Sequence, residues 1–226
     1  PIQQLMLGVG AKKSTYIDDV FSTFLYEGTG SAQSINNGID LSGEGGLVWT
    51  KVRNQSWNNS LLDTVRGGSK ILRSNLSNAE SDYSGMITSF NNNGYTLGSD
   101  ASTGTVNYSS SENYASWSFR KAPGFCDIIE FSGTGSAQTI NHNLGCIPGL
   151  ILIKRTDDSA NWSVYHRDLG NTKRLILNET DAANTATTLW DSTSPTATTF
   201  RVGPWSDHNA SGSTNVAYLF AGGEST

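Results

Sequence analysis

Gly28-Thr29-Gly30-Ser31-Ala32-Gln33-Ser34-Ile35-Asn36 returns, with a single Ser-to-Thr exchange, as Gly133-Thr134-Gly135-Ser136-Ala137-Gln138-Thr139-Ile140-Asn141. The copies start 105 residues apart, the scale of a small domain and not of a solenoid repeat. The likeness extends outward. Gly46-Leu47-Val48-Trp49-Thr50-Lys51 aligns with Gly149-Leu150-Ile151-Leu152-Ile153-Lys154, the stretch Ser60 to Gly67 with Ser163 to Gly170, and Lys70 to Asn75 with Lys173 to Asn178. The chain is a duplication.

The repeated unit reads as β. Leu47 to Val52 and Leu150 to Lys154 are apolar, β-branched runs suited to buried central strands. Lys70-Ile71-Leu72-Arg73, Gly94-Tyr95-Thr96-Leu97, Ser163-Val164-Tyr165-His166 and Thr199-Phe200-Arg201-Val202 alternate polar and apolar. Ala115, Trp117 and Phe119 share one face of another such run, and Trp49 and Trp117 read as core. Asn37-Gly38, Gly45-Gly46, Arg66-Gly67-Gly68 and Asn93-Gly94 punctuate the strands as turns. Only Leu76 to Ser84 and Ala182 to Leu189 offer room for a helical turn. Short strands with turns at this spacing predict an all-β protein: two tandem β-sandwich domains of jelly-roll or lectin-like type. Their expected bounds are residues 24–122 and 123–226, behind an N-terminal extension, residues 1–23. The short joint Lys121-Ala122-Pro123-Gly124 predicts a fixed relation between them.

Composition narrows the function. Charged residues are 15% of the 226, against roughly 25% in an average globular protein. Ser, Thr, Asn and 24 Gly supply the polar surface, as in β proteins exposed outside cells. The six Trp, eight Tyr and eight Phe argue for a packed core. Net charge is −5, and no basic cluster, Lys12-Lys13 included, is longer than two residues, which argues against a phosphate-backbone partner. No apolar run reaches the ~20 residues that span a bilayer, so no membrane insertion is expected. Pro1-Ile2-Gln3-Gln4-Leu5 lacks the basic start of a signal peptide, and Pro1 suits removal of an initiator Met. The apolar segment Leu5 to Val9 either packs back on its own domain or is buried in a partner.

Chemistry is sparse. G-x-S-x-G, Walker A, H-E-x-x-H and EF-hand patterns are missing. Gly28-Thr29-Gly30 leads into a strand and not a helix, so the repeated phrase reads as a polar glycine-rich hairpin loop and not as a phosphate cradle. His142 and His166 align with Asn37 and Asp63, so no catalytic histidine is duplicated. His142 and His166 read as strand-end residues, and the third histidine is His208. The carboxylate pairs Asp18-Asp19, Asp157-Asp158 and Glu179/Asp181 sit in loops, and nothing selects them as a glycosidase pair or a calcium site. Cys126 and Cys146 are either free thiols or a disulfide, and no zinc spacing is present. No cofactor, metal or enzymatic activity is expected. Trp57, Trp162, Trp190 and Trp205 stand beside Asn, Asp and Ser, a setting in which an indole stacks on a sugar while amides and carboxylates meet its hydroxyls. They are candidate glycan contacts, with the plugging of sandwich ends as the alternative.

The opening Pro1-Ile2-Gln3-Gln4-Leu5-Met6-Leu7-Gly8, then Tyr16-Ile17-Asp18-Asp19-Val20-Phe21-Ser22-Thr23, resembles the start of a group of tailed-phage virion proteins, many from marine phages. Gly43-Glu44-Gly45-Gly46-Leu47-Val48-Trp49, Arg73-Ser74-Asn75, Tyr114-Ala115-Ser116-Trp117-Ser118-Phe119-Arg120-Lys121-Ala122-Pro123-Gly124-Phe125 and Asn143-Leu144-Gly145-Cys146-Ile147-Pro148-Gly149 resemble their repeated domain. The resemblance spans essentially the whole chain. It implies a tail fibre or fibre-adaptor, assembled in the host cytoplasm and located in the virion. Other virion proteins of tail, baseplate or head would be its partners, with Ile2, Leu5, Met6, Leu7 and Val9 as anchor. It implies a homo-oligomer, by analogy a trimer, that contributes to attachment at host-surface glycans. A head decoration protein, a non-catalytic carbohydrate-binding module and a polysaccharide-degrading enzyme are the rival readings.

Overall fold

A computed structural model describes residues 15–100 and 103–223. The expected anchor residues Ile2, Leu5, Met6, Leu7 and Val9 lie outside them. In the first half, a single helical turn, α1 (Ile17–Val20), leads into β1 (Phe21–Glu27), β2 (Gln33–Asn36), β3 (Gly46–Val52), β4 (Ser60–Asp63), β5 (Gly67–Leu72), β6 (Ser81–Asp82), β7 (Ile87–Asn91), β8 (Gly94–Leu97) and β9 (Asn113–Arg120). The second half runs β10 (Cys126–Ser132), β11 (Gln138–Asn141), β12 (Pro148–Arg155), β13 (Ser163–His166), β14 (Lys173–Ile176), β15 (Asn184–Thr185), β16 (Thr199–Val202), α2 (Ser206–Asn209) and β17 (Thr214–Ala221). The protein is all-β.

Each half builds one large antiparallel sheet, and the two share a strand order: β1-β9-β3-β4-β5-β6 and β10-β17-β12-β13-β14-β15. A smaller sheet, β2-β8-β7 or β11-β16, covers one face of each. Alternation along a strand explains the layers. In β3, Val48 and Val52 point into the core under the small sheet, with Tyr26, Ile35, Leu62, Tyr95 and Tyr114. Leu47 and Trp49 point the opposite way, toward the second half.

There the two large sheets meet. Leu47, Leu61 and Leu72 of the first half pack against Cys126, Ile128, Leu152, Trp162, Val164, Val216 and Tyr218 of the second. This seam is a third hydrophobic core. Exposing only its three leucines would forfeit roughly 5–9 kcal/mol, comparable to the whole stability of an ordinary domain. Main-chain bonds cross it as well, from Glu80 N–H to Thr156 O (2.9 Å) and from Ala160 N–H to Ser77 O (2.8 Å).

Some expectations need correction. The repeated phrase is not a hairpin, because β1 pairs with β9 and β2 with β8; it carries the chain from the large sheet to the small one. Leu76 to Ser84 and Ala182 to Leu189 hold short strands, β6 and β15, and no helix. Their backbone groups turn outward: Glu80 N–H goes to the other half and Ala186 N–H to Thr172 O. Trp49 and Trp117 are half-buried and not full core, because the strand face they occupy looks toward the second half and is only partly covered. Leu25, on β1 beside Ala115 of β9, is 58% exposed.

Candidate functional site

The repeated phrase is explained by two asparagines outside it. Asn107 and Asn209 are both wholly buried. The Asn107 side-chain oxygen accepts from the Thr29 N–H (2.8 Å) and from Gln33 Nε2 (2.7 Å), and its Nδ2 donates to Ser31 O (2.6 Å) and Gly98 O (2.8 Å). Asn209 does the same for Thr134 N–H (2.9 Å), Gln138 Nε2 (2.7 Å), Ser136 O (2.7 Å) and Gly203 O (2.8 Å). A Cβ at Gly28 or Gly133 would run into the main chain of this spacer, at Ser109 O or Ala210 O. The phrase is a joint, and its polar residues are consumed in holding it.

The tryptophans expected to meet a glycan divide. Trp162 is 0% exposed, lies in the seam against Tyr218 and donates its indole N–H to Arg73 O at 2.9 Å. Trp190 is 2% exposed, in the second-half core, stacked on His208 and donating to Lys173 O. Neither is a glycan contact: their rings are covered by protein and their N–H groups are used. They are buried because loop 186–198 folds under β16, where the first half has the β7–β8 hairpin, and because the seam covers β13. Trp205 is half-buried under the Arg174 guanidinium, 4.9 Å from its ring centre. Trp57 packs on the backbone at Gly104 and edge-on to Tyr108, beside a polar hollow of about 210 Å³ lined by Asn58, Arg73, Thr103 and Thr105.

A more apolar recess lies elsewhere, where the two large sheets part. It holds about 430 Å³ between Trp49 and Phe119 on one side and Leu150, Leu152 and Phe220 on the other. Phe119 meets Phe220 edge-on, with ring centroids 5.4 Å apart. His166, Arg167 and Asp168 form the rim. Arg167 lies 3.7 Å and His166 3.9 Å from the Asp168 carboxylate, and Arg167 also donates to Gly223 O at 3.0 Å. The mouth owes its shape to a β-bulge between Pro148 and Leu150. Gly149 sits in it, and a Cβ there would strike Gly222 of the neighbouring strand end.

The halves differ at this point. His166 occupies the place of Asp63. Asp63 is buried, and Arg66 beside it bonds its carboxylate (2.7 Å), Glu80 (2.8 Å) and the Tyr218 hydroxyl (3.0 Å). Tyr218 reaches across the seam to donate to Asp63 Oδ2 at 2.7 Å. Burial works against the Arg66 charge, but Tyr218, Asp63 and Glu80 together hold its pKa above the usual arginine range. That end of the seam is closed by a satisfied ionic cluster; the end with His166 and Arg167 stays open. Trp49 is in the wall of the open end, and its indole N–H is buried with no acceptor among the described residues.

His142 is buried against Phe200, with Nε2 3.2 Å from Thr196 O, and burial pushes its pKa down. His208 is buried in the second-half core, 3.0 Å from the Ser163 hydroxyl. Cys126 is a buried free thiol in the seam, its pKa pushed up by burial. Among the described residues, no three His, Cys, Asp or Glu side chains gather as a metal site would need. Sequence reasoning missed Asn107, Asn209 and the open cleft. The asparagines left one signal, a polar spacer before the last strand of each copy, but it is spaced differently from the repeated phrase.

An all-β architecture of two sheet stacks joined at a seam, with an aromatic cleft where the large sheets part, defines the class of this protein. The chain belongs to the family described as Domain of unknown function (DUF7483), whose model matches residues 16–225. No curated protein and no solved structure matches the chain.

Proposed function

We propose that this chain is a structural protein of a tailed-phage virion, a tail fibre or fibre-adaptor docked through its N-terminal segment and contributing to host-surface attachment. The observation that carries the reading is the seam. Two copies of one unit bury their sheet faces against each other and become a single stiff block. What the copies share is architecture: the asparagine joint and the strand order. What they do not share is chemistry, since His142, His166, His208 and both cysteines occur in the second copy alone. Such duplication supplies length and stiffness and not a second active site. The cleft supports binding over catalysis: its lining holds one carboxylate and no Ser, Thr or Cys. The resemblance to phage virion proteins supplies the setting.

Gold-labelled antibody raised against the folded protein tests this on intact particles. Label on the tail is the expected result, label on the head would replace a fibre with a head decoration protein, and absence from purified particles would overturn the reading. Deleting residues 1–14 should abolish incorporation while leaving the folded block intact.

A further inference from the structure

We infer that the cleft between the two large sheets is a saccharide site, for a neutral pyranose whose apolar face lies on the aromatic wall and whose hydroxyls meet the rim. The inference deepens the attachment reading, on which it rests for its biological role but not for its chemistry.

Shape comes first. At about 430 Å³ the cleft falls within the range of small-ligand sites and has room for one sugar ring. Trp49, Phe119 and Phe220 present aromatic surface, which attracts the C–H face of a pyranose; Leu150 and Leu152 complete a wall that no charged group interrupts. The polar groups converge at one edge. Arg167 offers donors, Asp168 acceptors and His166 either, the mixture that a row of hydroxyls, each donor and acceptor, can satisfy.

Charge selects among sugars. Arg167 and His166 both stand within 4 Å of the Asp168 carboxylate. The rim cation is already paired, so no uncompensated positive charge awaits a uronate or sialate. A neutral ring suits it.

The first half has no equivalent opening, because Asp63, Arg66 and Tyr218 fill the matching end of the seam. The site therefore occurs once per chain and needs both halves, which is why neither copy alone signals it.

The test uses the full chain, labelled with ¹⁵N, and methyl glycosides of glucose, galactose, mannose and N-acetylglucosamine, with glucuronate as the charged control. Saturable movement of the Trp49 indole N–H signal with at least one neutral glycoside, while those of Trp162 and Trp190 stay in place, is the expected result. Trp49→Leu keeps the wall apolar but removes an aromatic face, and should weaken binding roughly five-fold. Arg167→Ala, at the half-exposed rim, should weaken binding without moving the unfolding midpoint. Movement confined to Trp57 or Trp205, tighter binding of glucuronate than of every neutral glycoside, or no response at tens of millimolar sugar would each overturn the inference. None of these results alters where gold label falls on the particle, so the virion reading stands or falls separately.

Discussion

Asn107 and Asn209 each answer four hydrogen-bonding groups from a site with no water access. Replacing either by Ala removes the bonds and leaves partners buried without a mate, at roughly 1–3 kcal/mol for each group that water cannot reach. Asn209→Ala is therefore expected to destabilise the fold by about 3 kcal/mol, and Asn107→Ala by a similar amount, which in a protein of this size lowers Tm by roughly 6–12 °C. Scanning calorimetry checks both. His208 makes the other residue-scale prediction. Burial depresses its pKa from 6.5 to about 4. Between those values the unfolded chain binds a proton that the folded chain refuses, so its contribution is complete above pH 6.5 and is lost as pH falls toward 4. At about 1.36 kcal/mol per pH unit the loss is on the order of 3 kcal/mol. His142, also lowered by burial, adds with the same sign. Urea unfolding at stepped pH should show this slope in the native chain and a flatter one in His208→Val, whose new side chain matches Val106 at the corresponding place in the first half.

Between elements, the strands do most of their work in pairs across the seam. β4, the turn after it, the residue before β6, and β17 meet at the Asp63–Arg66–Glu80–Tyr218 cluster. Removing one member of a buried, satisfied ionic group strands the others, which commonly costs 3–5 kcal/mol. Arg66→Leu should fall in that range, while Tyr218→Phe, which takes away one hydroxyl and keeps the ring, should cost about 1–3 kcal/mol. Guanidinium titration of the two variants would reveal the ranking, and equal losses would mean that the tyrosine hydroxyl is as necessary as the cation. At this scale the sequence was most legible where a pattern is local. Leu47 to Val52 and Leu150 to Lys154 read as central strands because β-branched and apolar residues fill both of their faces, and they are β3 and β12. Leu76 to Ser84 read poorly, since its backbone bonds at Ser77 and Glu80 are made to the other half and no local periodicity encodes them.

As a whole molecule, the protein should behave as one cooperative unit although its sequence is two copies. The full chain is expected to melt in a single transition by calorimetry and by tryptophan fluorescence alike. Residues 15–122 alone would expose Leu47, Leu61 and Leu72, and should aggregate or bind a hydrophobic dye where the full chain does not. Two separate transitions would overturn the shared core. Duplication, the all-β class and the positions of the strands could be read from residue order, because each depends on spacing along the chain: the period of two in a strand, the glycines at turns, the repeated phrase. The covering of each strand face could not. Val48 and Trp49 alternate in the same manner, yet one lies beneath its own small sheet and the other in the wall of a cleft shared with the second half. Alternation gives a side chain one of two faces, but the neighbour on that face comes from residues a hundred positions away, and only the folded stack of sheets brings them together.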